Sequence, residues 1–350
     1  MADKKINGRL SLSLEKRREF GMSVTAFDEK IIEQIKEKSS LFKVLSSEVS
    51  KVLVGQRDAM TLIESAILCN GHILVEGVPG VAKTTMIKAV SRALGLHFSR
   101  IQFTPDLLPS DVIGTLIYNQ KTHEFETKKG PIFAHLVLAD EINRAPAKVQ
   151  AALLEAMQEH QVTIGSQTFN LEEPFLVFAT QNPIEQEGTY KLPEAQVDRF
   201  LFKLVITYPS KEEEKEILHK QLDLAQIHTL FSKEIIFEAQ KLVNLIYVDE
   251  KIKSYIVDLV FATRFPEKYK LPHFKDLILY GVSPRATLAL HHAAKAHAFL
   301  RGRHFVIPDD IKAIALPVLR HRLLLSYNAE ADNITPDSLV QEILHKVPSP

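Results

Sequence analysis

His72-Ile73-Leu74-Val75-Glu76-Gly77-Val78-Pro79-Gly80-Val81-Ala82-Lys83-Thr84-Thr85 is the stretch whose reading decides the fold. A short apolar run stops at a glycine-rich turn, and a helical pattern opens near Thr84. Strand, loop and helix in that order aim consecutive backbone N–H groups and the positive end of a helix dipole at one point. That geometry cradles phosphate. Gly77–Thr84 also places Lys-Thr at the offset of G-x-x-x-x-G-K-[ST]. Lys83 is therefore expected on the β and γ phosphates and the Thr84 hydroxyl on Mg²⁺, with Gly77, Val78, Pro79, Gly80, Val81, Ala82 and Thr85 completing the loop. One position departs from the pattern: Ala82 stands where glycine is usual. Alanine fits if φ is negative there, as expected at a helix entry.

Similar apolar runs recur at Phe98–Phe103, His135–Ala139, Phe175–Ala179 and Phe202–Ile206, separated by helical segments. Strands in that rhythm predict a parallel sheet buried on both faces, hence an α/β fold. Upstream, Ile31, Ile32, Ile35 and Leu41 give a helical pattern from about Asp28, and Met60, Ile63 and Ile67 a second one after Gly55. Leu116–Phe125, turning near Lys121, and Gln161–Phe169, turning at Gly165-Ser166, read as hairpins. After Tyr208-Pro209-Ser210 the strand signal nearly vanishes, and Ser210 with Glu213 resembles a capping box. Ala239, Leu242, Val243 and Ile246 follow helical spacing, as do Ala286, Ala289, Leu290 and Ala293. The expected organisation is a flexible basic tail over 1–27 (with Met22 as an alternative start), an α/β nucleotide-binding domain over 28–208 and a helical domain over 209–350.

With 350 residues, two folded units are the natural expectation. Hydrophobic residues at 45% and charged residues at 25% exclude global disorder. Lys plus Arg, 43, equals Asp plus Glu, 43, so no bulk positive charge recruits nucleic acid or anionic lipid, although a local basic groove stays open. The single cysteine, Cys69, excludes a disulfide framework and a multi-cysteine metal site, and reads as a core residue. No apolar run reaches the length of a membrane span. The polar N-terminus lacks the apolar block of a signal peptide, which points to the cytoplasm. His291, His292 and His297 lie on one helix but do not share a face, so no metal is expected there. Lys211–Lys215 reads as a solvated helix start.

Leu136-Val137-Leu138-Ala139-Asp140-Glu141 is an apolar strand ending in adjacent carboxylates. Buried strand ends seldom carry such a pair without a compensating cation. Asp140 fits a Mg²⁺ partner through water, and Glu141 fits the group that orients and polarises an attacking water. A third strand, Phe175–Ala179, delivers Thr180-Gln181-Asn182 to the same edge. Asn182 is expected to reach the γ-phosphate or that water, though a plain turn before Pro183 also accounts for it.

Five ordered blocks now carry a resemblance. Gly77–Thr84, Asp140–Pro146, Ala179–Pro183, Leu192–Phe200 and Gly281–Ala286 resemble the MoxR family of AAA+ ATPases, over about residues 30 to 345. The resemblance implies a P-loop AAA+ core followed by an all-α lid, assembled as a homo-oligomeric ring, usually a hexamer, with ATP between subunits. It places Val54-Gly55-Gln56 near the adenine, makes Asn182 the first sensor and Arg199 an arginine finger acting on the next subunit's nucleotide. It makes Arg285 the second sensor, on the γ-phosphate of its own subunit. The Leu116–Phe125 hairpin looks like an insertion in the second helix of the core, and Gln161–Phe169 like the hairpin before the first sensor. Elementary chemistry agrees with both arginines: phosphoryl transfer needs a cation that arrives without reorganisation, and arginine offers a fixed planar fork. Ser283-Pro284 is a good N-cap and N1 pair for the helix that would carry Arg285. Simpler readings are an ion pair of Arg199 with Asp198 or Glu194, and a solvated helix arginine at 285. Arg144 faces either a neighbour's site or a local salt bridge.

The function so implied is ATP hydrolysis coupled to remodelling of protein complexes, in metal-centre insertion or complex assembly. The partner implied is a separate protein with a von Willebrand factor A domain. Two other classes stay open. A nucleic-acid-remodelling or clamp-loader-like ATPase finds support only in Lys121, Lys128 and Lys129, offset by Glu124 and Glu126. A nucleotide-dependent scaffold that hardly turns ATP over is opposed by the intact Glu141 and Arg199.

Overall fold

The computed structural model describes residues 24–182, 188–219 and 223–350. Helices α1 (Val24–Val49) and α2 (Arg57–Cys69) precede β1 (Ile73–Gly77), α3 (Lys83–Leu94) and β2 (Phe98–Gln102). A short α4 (Pro109–Ile113) leads into the hairpin of β3 (Gly114–Asn119) and β4 (Glu124–Lys129). Then come β5 (Leu136–Asp140), a 3₁₀ turn at Ile142–Arg144, α5 (Ala147–Glu159) and a second hairpin, β6 (Gln161–Ile164) with β7 (Gln167–Asn170). β8 (Leu176–Gln181), α6 (Glu194–Val197) and β9 (Phe202–Ile206) complete the sheet region. The rest is mainly helical: α7 (Lys211–His219), α8 (Lys233–Leu245), α9 (Glu250–Arg264), then β10 (Ile278–Tyr280), α10 (Pro284–Leu300), α11 (Pro308–Leu319), β11 (Leu324–Leu325), α12 (Tyr327–Ala331) and α13 (Pro336–Lys346).

Five strands form one parallel sheet in the order β2-β5-β8-β1-β9. Alternation along each strand feeds two cores. Ile73, Val75, Leu136, Leu138, Leu176 and Phe178 face one way, while Leu74, Val137, Ala139, Val177 and Ala179 face the other, and all are buried. That double burial explains why the strands read as unbroken apolar runs. The first core runs without a break from the sheet through α1–α3 into Leu259, Phe274, Phe299 and Ile314 of the helical region. The two parts of the chain therefore share apolar packing.

Both hairpins form where the sequence places them, and they touch: a Cβ built on Gly165 would lie 2.6 Å from Leu116 Cδ1. Ser210 and Glu213 make both bonds of the capping box, Ser210 N to Glu213 Oε2 at 2.7 Å and Glu213 N to Ser210 Oγ at 3.3 Å. Two features differ from the sequence reading. The helix expected from about Asp28 begins at Val24, and of the expected flexible tail residues 1–23 lie outside the described residues. The helical region also carries a small antiparallel ladder, β10 with β11, whose strands of three and two residues are too short to show a period. No helix among the described residues is long and apolar enough to cross a membrane.

Candidate active site

In a parallel sheet every strand ends at the same edge, so β1, β5 and β8 present their carboxyl ends together. The loop after β1, the Asp140-Glu141 step after β5 and Asn182 after β8 accordingly meet around one cavity of about 290 Å³. It is lined by Pro79, Gly80, Ala82, Lys83, Thr84, Thr85, Asp140, Glu141 and Asn182. Gly80 has φ +86°, and a Cβ there would meet open space, so its glycine is required by backbone conformation. Gly77 is required by proximity, since a Cβ would lie 2.7 Å from the Ile206 carbonyl oxygen.

Ala82 corrects the sequence reading. Its φ is +58°, left-handed, as the residue that caps α3, and it lines the cavity. The tight turn into the helix demands the conformation that glycine adopts freely, and here alanine holds it under strain.

Lys83 reaches back over the loop and donates to the Gly77 carbonyl at 2.6 Å. Burial pushes its ammonium group down from the usual lysine range, while Asp140 and Glu141 pull it up. Thr180 ties the carboxylate step together: its hydroxyl donates to Asp140 Oδ1 at 2.6 Å and accepts from Glu141 N at 2.8 Å. Arg100 Nε donates to Asp140 Oδ2 at 3.0 Å. Gln102 Nε2 donates to Glu141 Oε2 at 3.0 Å, and Arg144 Nε lies 3.2 Å from the same oxygen. Arg144 thus makes the local salt bridge. Glu141 itself has φ +58° and caps the 3₁₀ turn, which swings its side chain out of line with the strand. The Thr84 hydroxyl and the Asp140 carboxylate, both of residues lining this cavity, are oxygen donors of the kind that suits a hard divalent cation, and the loop amides with Lys83 suit phosphate.

Sequence reasoning missed Arg100, Gln102 and Thr180 as members of this site. Arg100 and Gln102 are polar residues of an edge strand, indistinguishable by pattern from solvated ones. Thr180 was visible beside Asn182.

The loop joining α1 to α2 brings Val54, Gly55 and Gln56 to a second cavity, of about 650 Å³. Ile206, Thr207, Tyr208, Pro209 and Glu213 form its far wall. Gln56 Nε2 donates to the Val81 carbonyl at 3.3 Å, so this cavity adjoins the phosphate loop through one side chain. Gly55 has φ +71°, and a Cβ there would lie 2.1 Å from Glu213 Oε1.

Arg199 and Arg285 stand elsewhere. Both line a third cavity of about 290 Å³ with His72, His160, Asp198 and Arg322, and none of its residues lines the phosphate cavity. Arg199 Nη1 donates to the Leu154 carbonyl at 2.9 Å, and its Nε is buried without a hydrogen-bond partner among the described residues. Arg285 Nη1 lies 3.7 Å from Asp198 Oδ2. The expectation that Arg285 reaches the γ-phosphate of its own subunit is not met in this arrangement. α10 starts beside Asp198, where Ser283 caps it, and this sets Arg285 next to Arg199.

Residues 72–202 match the family described as ATPase family associated with various cellular activities (AAA), and residues 274–343 match the AAA lid domain. The chain is 49% identical to Chaperone MoxR1 of Mycobacterium tuberculosis over 304 residues, which cover 87% of this chain and 81% of that protein. It is 31% identical to Protein MoxR of Methylorubrum extorquens over 334 residues, covering 87% and 93% of the two chains. A crystal structure of a candidate ATPase from Cytophaga hutchinsonii superposes with a TM-score of 0.85 at 48% identity, over 93% of this chain and 98% of that one. A nucleotide-type loop facing two strand-end carboxylates, an α/β domain with a helical lid, and identity at this level over nearly the whole chain agree: the chain belongs to the MoxR family of AAA+ ATPases.

Proposed function

We propose that the chain binds ATP with Mg²⁺ at the Gly77–Thr85 loop and hydrolyses it to ADP and phosphate, using the energy to remodel protein complexes in the cytoplasm. The observation that carries this reading is the single cavity that gathers Lys83, Thr84, Asp140, Glu141 and Asn182. Loop amides and Lys83 hold the β and γ phosphates, while the adenine occupies the cavity beside Val54, Gly55 and Gln56. Mg²⁺, on Thr84 and through water on Asp140, would offset charge on the phosphate oxygens. Glu141 orients the attacking water, and Asn182 holds the γ-phosphate side. Thr180 fixes Asp140 and the Glu141 backbone relative to each other.

Arg199 is the finger for the next subunit's nucleotide, in a homo-oligomeric ring read as a hexamer. Arg285 shares its cavity, so both arginines are assigned to that same neighbouring nucleotide. The domain limits of 28–208 and 209–350 follow the same reading. The client is a protein assembly, of the kind served in metal-centre insertion or complex assembly, met through a separate protein with a von Willebrand factor A domain. Exposed Leu116, Ile117, Tyr118 and Phe125 on the first hairpin favour a protein client over nucleic acid. Lys129, one of the basic residues there, sits over the rings of Phe133 and Phe169 at 4.7 and 5.5 Å.

Two variants test the site. Lys83→Ala should abolish nucleotide binding, and near-native ATP affinity would sink the loop assignment. Glu141→Gln should bind ATP while turnover falls at least about a hundredfold, and unchanged turnover would move the catalytic role elsewhere or leave a scaffold. Assays with and without nucleic acid separate the motor reading, since stimulation by DNA or RNA would favour it.

A further inference from the structure

The segment that carries Arg199 is held from the lid by the side chains of Arg322, His321 and Ser283. Arg322 follows α11 and is almost fully buried, with its side chain 3% exposed. Its Nε donates to Asp198 Oδ1 at 2.8 Å, and its Nη2 to the carbonyls of Asp198, at 3.2 Å, and of Phe200. Its Nη1 donates to the Leu201 carbonyl at 3.2 Å and to that of Val318 in α11. His321 adds Nε2 at 3.0 Å from the Phe200 oxygen. Backbone carbonyls on both sides of Arg199 thus end on two consecutive lid residues.

Asp198 completes the arrangement from the core side. While Oδ1 takes Arg322, Oδ2 accepts from the Ser283 hydroxyl at 2.8 Å. That same hydroxyl accepts from Arg285 N at 3.1 Å as the cap of α10. One carboxylate beside Arg199 therefore binds the start of one lid helix and a residue three positions beyond the end of another. Among the described residues Arg199 pairs with no carboxylate and hydrogen-bonds the Leu154 carbonyl, so its direction is set by the backbone that Arg322 and Asp198 fix. Opening the lid with these bonds intact must carry Arg199 along. Breaking them would strand a buried guanidinium, which is strongly unfavourable. A planar fork is suited to this task in a way that a lysine ammonium is not.

We propose that Arg322, through Asp198, is a positioning residue for Arg199: it clamps the finger segment to the lid, so that lid movement in one subunit moves the arginine offered to its neighbour. This rests on the trans reading of Arg199 given above.

The test uses the full-length chain with Arg199→Ala, Lys83→Ala and Arg322→Met, and a fluorescent ATP analogue with Mg²⁺ as the binding probe. Arg322→Met should lower kcat at least about tenfold, toward the Arg199→Ala level, with analogue affinity within about twofold of the parent. Mixed with Lys83→Ala subunits, which keep the clamp and finger, it should regain activity; mixed with Arg199→Ala subunits it should not. Loss of analogue binding together with turnover, and no gain in either mixture, would reduce Arg322 to a structural role and overturn the proposal. Parental kcat would overturn it as well. Asp198→Asn keeps the shape and removes the charge, should give the same split, and decides the matter if Arg322→Met does not fold. Parental activity in Arg199→Ala would remove the finger reading itself, whereas a slow Arg199→Ala beside fast Arg322→Met and Asp198→Asn would remove the clamp alone.

Discussion

A methyl group on left-handed backbone costs Ala82 roughly 1–2 kcal/mol relative to a right-handed position. Neighbouring geometry imposes it: Gln56 pins the Val81 carbonyl on one side and α3 begins on the other. Replacement by glycine removes that strain but adds about 0.5–1 kcal/mol of backbone entropy in the unfolded chain. Ala82→Gly is therefore expected to stabilise the protein by about 0.5–1 kcal/mol, seen as a higher Tm in thermal unfolding without nucleotide. A lower Tm would show that the loop relieves the strain elsewhere. Glu141, at φ +58°, holds the same kind of conformation beside the same cavity. Strain of this sort collects at functional sites because the surrounding packing over-determines it.

At the scale of elements, α2 buries an ionisable side chain. Glu64 is 6% exposed, its Oε1 has no hydrogen-bond partner among the described residues, and burial pushes its carboxyl up to about 8. Between the ordinary value of 4.5 and about 8 the folded chain holds a proton that the unfolded chain has released, so stability falls as pH rises through that window. Each unit of the shift corresponds to about 1.4 kcal/mol. Glu64→Met should raise Tm, with a gain that grows from about pH 5 to pH 8. A gain independent of pH would show that Glu64 does not titrate there. Other elements were legible for clear reasons. The five sheet strands are buried on both faces and read as apolar runs, and Ser210 and Glu213 sit at the spacing one helical turn requires. Within the site, Lys83, Thr84, Asp140 and Glu141 lie at strand ends, where topology alone brings them together. The Arg100–Asp140 and Arg322–Asp198 pairs were not legible. Their partners stand 40 and 124 positions apart, and a contact at such separation leaves no spacing in the sequence.

Across the whole molecule, the phosphate cavity and the arginine cavity are lined by different residues. Three arginines and one carboxylate line the arginine cavity, so it has an excess of positive charge that a neighbour's phosphates would satisfy. A finger in trans gives a prediction that a finger in cis does not. Arg199→Ala should bind ATP almost normally but hydrolyse it roughly a thousandfold or more slowly. Lys83→Ala should neither bind nor hydrolyse. Mixing the two restores turnover at those interfaces where an intact pocket of one meets an intact finger of the other. The active unit is then an interface rather than a chain, so specific activity of the parent protein should fall on dilution as subunits separate. Subunit exchange, followed by energy transfer between labelled chains, must accompany the mixing experiment. Hydrolysis independent of concentration, with no complementation among subunits seen to exchange, would show that Arg199 serves its own subunit or none.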